Sequence, residues 1–379
     1  MLVPRCGTVH PLSRKAPAPP FGVLFVVFGS GDIKEVSMRK LFAAFVVLAI
    51  FAAFATPLFA SGQKAQKNLT IGVVIPYEIG WFTAYHNGYQ LVADKMGVKL
   101  VFAYHNYKAD DEVKAIQNLI TQGVDAINLT AFSSESAEYS CRLANDAKIP
   151  IQITESGVAL GKGVAVANID FNWADVYKVV AEGLRKDLQG DLKVLHLTGF
   201  AGTAPVVAGI EGFKATMAKL QGISYATAPQ DGQYAAEPSL KITTNLITSG
   251  LKFNVAVGGC QEITDGIVQA LKQAKVSRDA VKVVSVNGGP LDVENFKNGN
   301  LDFALSQSPA LHGMINAANL IAYMRGQTYQ KKTFSPVVWV SSKDWQQKYI
   351  PWDVDETWLP VVNEFVKTGQ YKPELRAKK

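Results

Sequence analysis

Short apolar runs alternate with amphipathic stretches along most of this chain of 379 residues. Residues 69–75 are rich in β-branched side chains and end before a proline, which predicts a buried strand. The periodicity of residues 84–96 predicts a helix that Gly97 ends, and residues 98–103 predict a second strand. These elements form one βαβ unit. The crossover rule makes this unit parallel and right-handed.

Two adjacent aromatic residues, Trp81 and Phe82, follow the first predicted strand. Open α/β sheets bind their ligands just beyond the carboxyl ends of their strands. We therefore interpret both side chains as ligand contacts rather than as core residues.

The same alternation continues in two successive series. The first series predicts further strands at 125–130, 149–154 and 164–168, and helices at 109–122, 134–147 and 173–189. The second predicts strands at 192–198, 223–227, 253–257, 281–286 and 301–305, and helices at 204–220, 236–249, 262–275 and 309–325. A strand-like stretch at 336–340 and a helix at 355–367 follow. Two runs of βα units predict an α/β protein with two doubly wound lobes, each built on a parallel sheet.

Residues 38–60 have a basic start, an apolar middle and small residues at the end, which is typical of a secretory signal peptide cleaved after Ala60. A membrane helix is the alternative, but the apolar part of about 15 residues is shorter than the ~20 needed to span a bilayer. Residues 1–37 show no coherent pattern, so we expect them to be untranslated, with Met38 as the true start, or disordered. No lipobox cysteine follows, which favours a soluble periplasmic protein over a lipoprotein.

The formal net charge of +6 is concentrated at the N-terminus, and the chain after residue 60 carries only +2. A nearly neutral protein gives no reason to expect nucleic acid as a partner. Cys141 and Cys260 remain after the predicted cleavage and lie in different predicted lobes, so we expect two free thiols rather than a disulfide. About 319 mature residues are more than one hydrophobic core usually supports, which also predicts two domains.

The sequence lacks the spacings that are typical of enzymes and metal sites. HExxH, GxSxG, CxxC and paired-carboxylate patterns are absent, and the four histidines that follow the signal peptide are scattered. His196 lies within an apolar strand and is interpreted as a core residue. We therefore expect no catalytic activity, no cofactor and no metal.

Several short segments carry a resemblance to a known family. They are residues 71–75 with Trp81 and Phe82, 117–126, 144–150, 199–203 with 211–213, 244–247, and 287–289. In this order the segments resemble the type I periplasmic solute-binding proteins, specifically the ribose and galactose branch that serves sugar ABC transporters. The resemblance covers residues 69–326.

This resemblance implies two lobes joined by a hinge of three chain crossings, near residues 168–170, 306–308 and 339. The N-terminal lobe would comprise residues 69–168 and 307–336. The C-terminal lobe and tail would comprise residues 169–306 and 337–379.

The resemblance also implies ligand contacts from both lobes. By position the candidates are Trp81, Phe82, Thr130, Glu155, Tyr234, Cys260, Asn287 and Gln307, with Asp170, Phe132 and Trp173 as further candidates. All of the first eight except Tyr234 lie at or just past a predicted strand end. Together they offer the stacking faces and hydrogen-bonding groups that a sugar-like solute needs.

Several of these residues have a structural alternative. Glu155 could be a solvated loop acid, and Tyr234 could serve packing. Asn287 before Gly288 could satisfy a tight turn. Cys260 could be a small strand-end residue, and Asp170 could cap the helix that begins near Trp173.

Four positions depart from the family pattern. Arginines expected there are replaced by Ser156 and Val207, an asparagine by Cys260, and an acid by Asn287. Losing both arginines removes the forked donors that would hold several sugar hydroxyls. A pentose or hexose is one interpretation. A smaller, less hydroxylated or cationic solute is the other, with Glu155 as its counter-charge and the aromatic side chains as a partial cage.

The function expected from this resemblance is that of a secreted, monomeric receptor. It would bind a small polar solute between its lobes, close by hinge bending and dock on an inner-membrane ABC permease. The alternative from another class is a periplasmic sensory subunit that presents the same closure to a membrane histidine kinase.

Overall fold

The computed structural model describes residues 68–78, 80–155 and 165–378. The predicted signal peptide, the segment before it and Ser156 lie outside the described residues. None of the helices described within these ranges is long and apolar enough to cross a membrane.

Strands and helices alternate through the described chain. The strands are β1 (Thr70–Ile75), β2 (Lys99–Tyr104), β3 (Ala126–Thr130), β4 (Ile151–Thr154), β5 (Ala167–Asp170), β6 (Leu192–Thr198), β7 (Ile223–Tyr225), β8 (Gln230–Asp231), β9 (Val255–Gly258), β10 (Lys282–Asn287), β11 (Phe303–Ser306), β12 (Lys332–Phe334) and β13 (Val338–Ser341). The helices are α1 (Trp81–Met96), α2 (Ala109–Thr121), α3 (Ser134–Asp146), α4 (Trp173–Asp187), α5 (Ala204–Met217), α6 (Ala236–Thr248), α7 (Gln261–Gln273), α8 (Pro290–Lys297), α9 (Pro309–Met324), α10 (Trp345–Lys348) and α11 (Leu359–Thr368).

The strands form two sheets, one in each lobe. The first has the order β12-β5-β4-β3-β1-β2, and every pair in it is parallel. The second has the order β13-β11-β10-β9-β6-β7, with β8 beside β6, and only β13 runs antiparallel to its neighbour. In both sheets the strand order reverses beside the first strand, β1 or β6, which is where such sheets form a ligand crevice. The prediction of two doubly wound parallel-sheet lobes is confirmed.

The element boundaries differ from the predicted ones at a few places. Helix α1 begins at Trp81 rather than at residue 84. It follows directly after Gly80, whose φ of 52° is not helical and sets the start of the helix. Strand β5 extends to Asp170, two residues beyond its predicted end. Strands β8 and β12 and helix α8 were not predicted, because each is short and carries polar or loop-like residues.

Helices α1 and α9 pack on one face of the first sheet with their backbones in close contact. A β-carbon on Gly88 would lie 1.9 Å from the carbonyl oxygen of Ala310, and one on Gly313 would lie 2.1 Å from that of Tyr85. Glycine at both positions therefore allows the two helices to cross. The opposite face of the sheet is covered by α2 and α3.

The tail differs most from the prediction. Trp345 still stacks on Phe296 of the second lobe, at a centroid distance of 5.5 Å. Beyond it, Ile350, Trp358 and Phe365 are buried in the core of the first lobe. The assignment of residues 337–379 to the C-terminal lobe is thus wrong from about residue 350 onward. The physical reason is that α9 is buried along nearly its whole length, and the apolar face of α11 covers its outer side.

The return of the tail makes a fourth crossing in addition to the three predicted ones. This crossing, residues 349–352, is hydrogen-bonded to the crossing at residues 306–308. Ile350 N–H donates to Ser306 Oγ at 2.9 Å, Ser308 Oγ donates to the Pro351 carbonyl at 2.6 Å, and Trp352 Nε1 donates to the Gln307 carbonyl at 2.8 Å. The two crossings therefore form one unit.

Candidate functional site

A cavity of about 290 Å³ lies between the carboxyl ends of the two sheets. Its lining comes from loops and helix starts that follow strands in both lobes. The lining residues are Tyr77, Gly80, Trp81, Phe82, Tyr107, Glu155, Trp173, Tyr177, Gly199, Pro205, Val206, Tyr234, Gly259, Cys260, Glu262 and Asn287.

Trp81 connects the two lobes at this cavity. Its indole stacks on Tyr85 at 5.8 Å with an interplanar angle of 11°, and it meets Phe82 edge-on at 5.0 Å. On the other side it contacts Phe171, with a centroid distance of 6.3 Å. The side chain packs against the cores of both lobes. Trp81 is the first residue of α1, the helix that follows the carboxyl end of β1.

Tyr107 and Tyr234 bring aromatic rings to the cavity from opposite lobes. Both residues have left-handed backbones, with φ of 53° and 52°. Phe200 lies between them, 5.7 Å from the Tyr107 ring and 5.5 Å from the Tyr234 ring. Non-glycine residues seldom adopt this conformation, and such outliers concentrate at ligand sites.

The ring of Tyr234 lies directly on Gly199. A β-carbon on Gly199 would be only 1.8 Å from Cζ of that ring. The glycine after strand β6 is therefore needed for the tyrosine to form the cavity wall.

Glu155 places a buried carboxyl group at the cavity, directly after β4. Its Oε2 accepts a hydrogen bond from Trp173 Nε1 at 3.2 Å, whereas Oε1 has no hydrogen-bond partner. The Oε1 atom is 3.5 Å from His312 Nε2. Burial, reinforced by the nearby charge of Asp170, raises the pKa of Glu155 well above its usual value, and burial lowers the pKa of His312 to about 3. Both shifts favour neutral forms, so this contact joins two neutral groups and is not an ion pair.

His312 belongs to a buried polar network behind Glu155. Its Nε2 is 2.7 Å from Thr154 Oγ1 and its Nδ1 is 2.6 Å from Ser335 Oγ. Asn316 continues the network to Gln152, which donates to Asn316 Oδ1 at 2.9 Å. These bonds tie α9, which carries His312 and Asn316, to β4 of the first sheet.

Asn287 ends β10 with its side chain at the cavity. Its backbone φ of 147° is unusual for a residue with a side chain. Gln307 Nε2 donates a hydrogen bond to Asn287 Oδ1 from behind. This bond holds the side-chain amide of Asn287 in place.

The structure brings six of the nine predicted site residues to this cavity: Trp81, Phe82, Glu155, Tyr234, Cys260 and Asn287. Trp173, a further candidate, also lines it. Thr130 and Phe132 border a smaller adjoining cavity of about 30 Å³. Whether these residues contact a ligand stays a prediction.

Asp170 and Gln307 do not line the cavity. Asp170 Oδ1 accepts the backbone N–H groups of Glu155, at 3.1 Å, and Phe171, at 2.7 Å, so it holds two strand ends together. Nor does Asp170 cap α4, since the Asn172 side chain accepts the N–H of Asp175 at the start of that helix. Gln307 is fully buried behind Asn287. Both residues support the wall rather than form it.

The lining residues that were not predicted from the sequence include Tyr77, Tyr107, Tyr177 and Glu262. Tyr77 and Tyr107 follow the ends of β1 and β2, so the strand-end rule could have found them. Glu262 lies in the first turn of α7 and Tyr177 in the second turn of α4, where nothing in the sequence separates them from ordinary helix residues.

The carboxyl groups at the cavity have no basic counterpart among the described lining residues. Glu155 and Glu262 contribute carboxyl groups, and none of the described lining residues is Lys, Arg or His. In the part of the chain that the structure describes, no group of three His, Cys, Asp or Glu side chains could hold a metal ion. Cys141 and Cys260 are both buried free thiols, as predicted.

Residues 71–328 match the family model described as a periplasmic binding protein domain. This chain belongs to that family. It is 24% identical over 273 residues to the ribose import binding protein RbsB of Haemophilus influenzae, covering 72% of this chain and 91% of the relative. It is also 22% identical over 261 residues to the galactofuranose-binding protein YtfQ of Escherichia coli, covering 67% and 81% of the two chains.

Solved structures show the same two-lobed fold. An ABC transporter solute-binding protein from Bacillus halodurans with bound myo-inositol superposes with a TM-score of 0.68 at 20% identity, covering 74% of this chain and 96% of that one. The periplasmic binding protein of an arabinose ABC transporter from Shewanella, bound to L-arabinofuranose, gives a TM-score of 0.67 at 22% identity and covers 74% and 94%.

Proposed function

We propose that this chain is the solute-binding component of an ABC import system. It captures a small polar, sugar-like solute between its lobes and delivers it to a membrane permease. The observation that carries the proposal is the cavity itself, since both sheets direct their strand ends and aromatic side chains into it. The relatives, which are named as import or sugar-binding proteins, support the same function.

Hinge closure follows from the position of the lining residues. Tyr107 belongs to the first lobe and Phe200 to the second, and their rings meet at 5.7 Å. A solute that contacts both lobes favours the arrangement in which they are close, because it binds that arrangement better than an open one. The permease would recognise the closed form.

The relatives favour import over the two other functions considered. These relatives are named as binding proteins rather than as enzymes, in agreement with the expectation of no catalytic activity. The sensory alternative has no comparable support. Periplasmic localisation, cleavage after Ala60 and a monomeric state complete the proposal.

Calorimetry and thermal unfolding of the purified protein test this function with a panel of sugars, polyols and amines. A ligand at a hundredfold excess over its dissociation constant should stabilise the protein by about 2.7 kcal/mol. Trp81→Ala should abolish the effect, because it removes the ring that spans both lobes. Trp345→Ala is the matched control, since Trp345 lies away from the cavity, on Phe296. Equal responses of the two variants would contradict the proposed site.

A further inference from the structure

The cavity offers few of the groups that hold the hydroxyls of a neutral sugar. Such hydroxyls need strong donors as well as acceptors, and the fork of an arginine is the usual strong donor. The described lining contains no cationic side chain. The phenols of Tyr77 and Tyr107 bond each other, and that of Tyr234 bonds Thr203. The amide of Asn287 can still donate, but the charged groups of the described lining can only accept hydrogen bonds.

Aromatic faces dominate the rest of the lining. Seven rings surround the cavity of about 290 Å³: Tyr77, Trp81, Phe82, Tyr107, Trp173, Tyr177 and Tyr234. The face of an aromatic ring is electron-rich and attracts a cation within about 6 Å of its centroid, most strongly when the ring is an indole. Two of the seven rings are indoles. The aromatic rings and the carboxyl groups thus both favour a positively charged ligand.

Glu155 supplies an observation that points to a ligand. The residue lines the cavity and is 8% exposed, and its buried Oε1 has no hydrogen-bond partner. His312 cannot serve as that partner, because its ring nitrogens are already held by Thr154 and Ser335. A buried carboxyl oxygen without a partner is unfavourable, so a donor on the ligand would complete the site.

Glu262 lies on the opposite side of the cavity, at the start of α7. Its Oε1 reaches the edge of the first lobe, 3.5 Å from the position of a β-carbon on Gly80. The two carboxyl groups therefore approach the cavity from different lobes. A positive group between them is attracted to both lobes at once.

We propose that the solute is a small organic cation, with an amino or quaternary ammonium nitrogen held by the aromatic rings and the carboxylates of Glu155 and Glu262. This inference rests on the proposed function and narrows its small polar solute to one that carries a positive charge.

Binding of such a cation is coupled to the protonation of Glu155. The groups that face this carboxyl are Asp170, Trp173, His312, Tyr85, Tyr107 and Tyr234. None of them supplies a positive charge, so burial and Asp170 raise the pKa of Glu155 in the empty site. An incoming cation lowers it again, and a proton leaves as the ligand enters.

Isothermal titration with charge-matched pairs tests the inference. The probes are choline against its neutral isostere 3,3-dimethyl-1-butanol, and D-galactosamine against D-galactose. We expect the cationic member of at least one pair to bind at least tenfold more tightly. Glu155→Gln and Glu262→Gln should each weaken that member about tenfold or more while leaving its neutral partner unchanged. Glu211→Gln, on an exposed surface, is the control.

Proton release gives a readout that folding defects do not mimic. Titrations of the cationic member in buffers of different ionisation enthalpy should show release of a proton by the wild type and none by Glu155→Gln. Urea unfolding of each variant checks that it is folded.

The outcomes separate this inference from the proposed function. If neutral members bind as tightly as cationic ones, and Trp81→Ala abolishes that binding, the function stands and the cationic ligand is refuted. If Glu155→Gln and Glu262→Gln bind the cation as the wild type does, the assigned carboxylates are refuted. If no probe and no member of the wider panel binds, both proposals fail.

Discussion

Replacing Gly199 with alanine is expected to displace the ring of Tyr234 from the cavity wall. The new β-carbon would lie 1.8 Å from Cζ of the ring and 2.2 and 2.3 Å from its two Cε atoms. Non-bonded carbon atoms approach to about 3.5 Å, so the ring must move by roughly 1.5 Å. The left-handed backbone of Tyr234 leaves little freedom to follow. Overpacking of this kind costs about 1–3 kcal/mol of unfolding free energy, and we expect the upper part of that range.

A double-mutant cycle measured by urea unfolding tests this reasoning. Gly199→Ala should destabilise the wild type by about 2–3 kcal/mol but the Tyr234→Ala variant by less than about 0.5 kcal/mol, since the obstructing ring is then absent. Gly250→Ala is the control, because Gly250 has a left-handed φ of 83° and nothing within 4 Å of its added β-carbon. It should cost about 1–2 kcal/mol in both backgrounds. An equal cost of Gly199→Ala in both backgrounds would refute the assigned contact.

Two further predictions concern the fold around the cavity. Gly313→Ala should destabilise the protein by about 3 kcal/mol or more in urea unfolding, because its β-carbon would meet the backbone oxygen of Tyr85 rather than a movable side chain; a loss below about 1 kcal/mol would contradict the close helix crossing. Burial raises the pKa of Asp292 from 3.8 to about 7. Between these values the folded state holds a proton that the unfolded state has released, so wild-type stability falls as pH rises. The stability of Asp292→Asn relative to the wild type should therefore increase by about 1.4 kcal/mol per pH unit across that window and stay constant above it, and a pH-independent difference would disprove the shift.

The βα alternation could be predicted because it depends on local chemistry. The run from Leu69 to Ile75 is apolar and β-branched enough to be a buried strand in any α/β context. Helix boundaries were harder to predict, since the start of α1 at Trp81 depends on the backbone of Gly80 and not on periodicity. Short elements such as β8 exist only because a neighbouring strand pairs with them.

The residues of the candidate site likewise fall into those that the sequence could predict and those that it could not. Trp81, Glu155 and Asn287 follow strand ends, and the topology of parallel sheets brings such positions together whatever the detailed packing. Glu262 and Tyr177 reach the cavity through the faces that their helices present, which depend on contacts between distant parts of the chain. Their position therefore required the three-dimensional structure.

The tail shows why an apolar pattern predicts burial but not the partner. The sequence of α9 is apolar on nearly all sides, which indicates that elements must cover it on more than one face. The apolar stripe of α11 meets that need, yet nothing in its residues says which lobe they will join.

The fourth crossing links this tail to the wall of the cavity. Trp352 donates to the carbonyl of Gln307, and the side chain of Gln307 donates to Asn287 at the end of β10. The crossing at residues 306–308 thus has the tail on one side and a lining residue on the other. These bonds join the two crossings to each other and to the cavity wall. A solute that contacts Asn287 would therefore contact a residue that is bonded directly to one of the chain crossings.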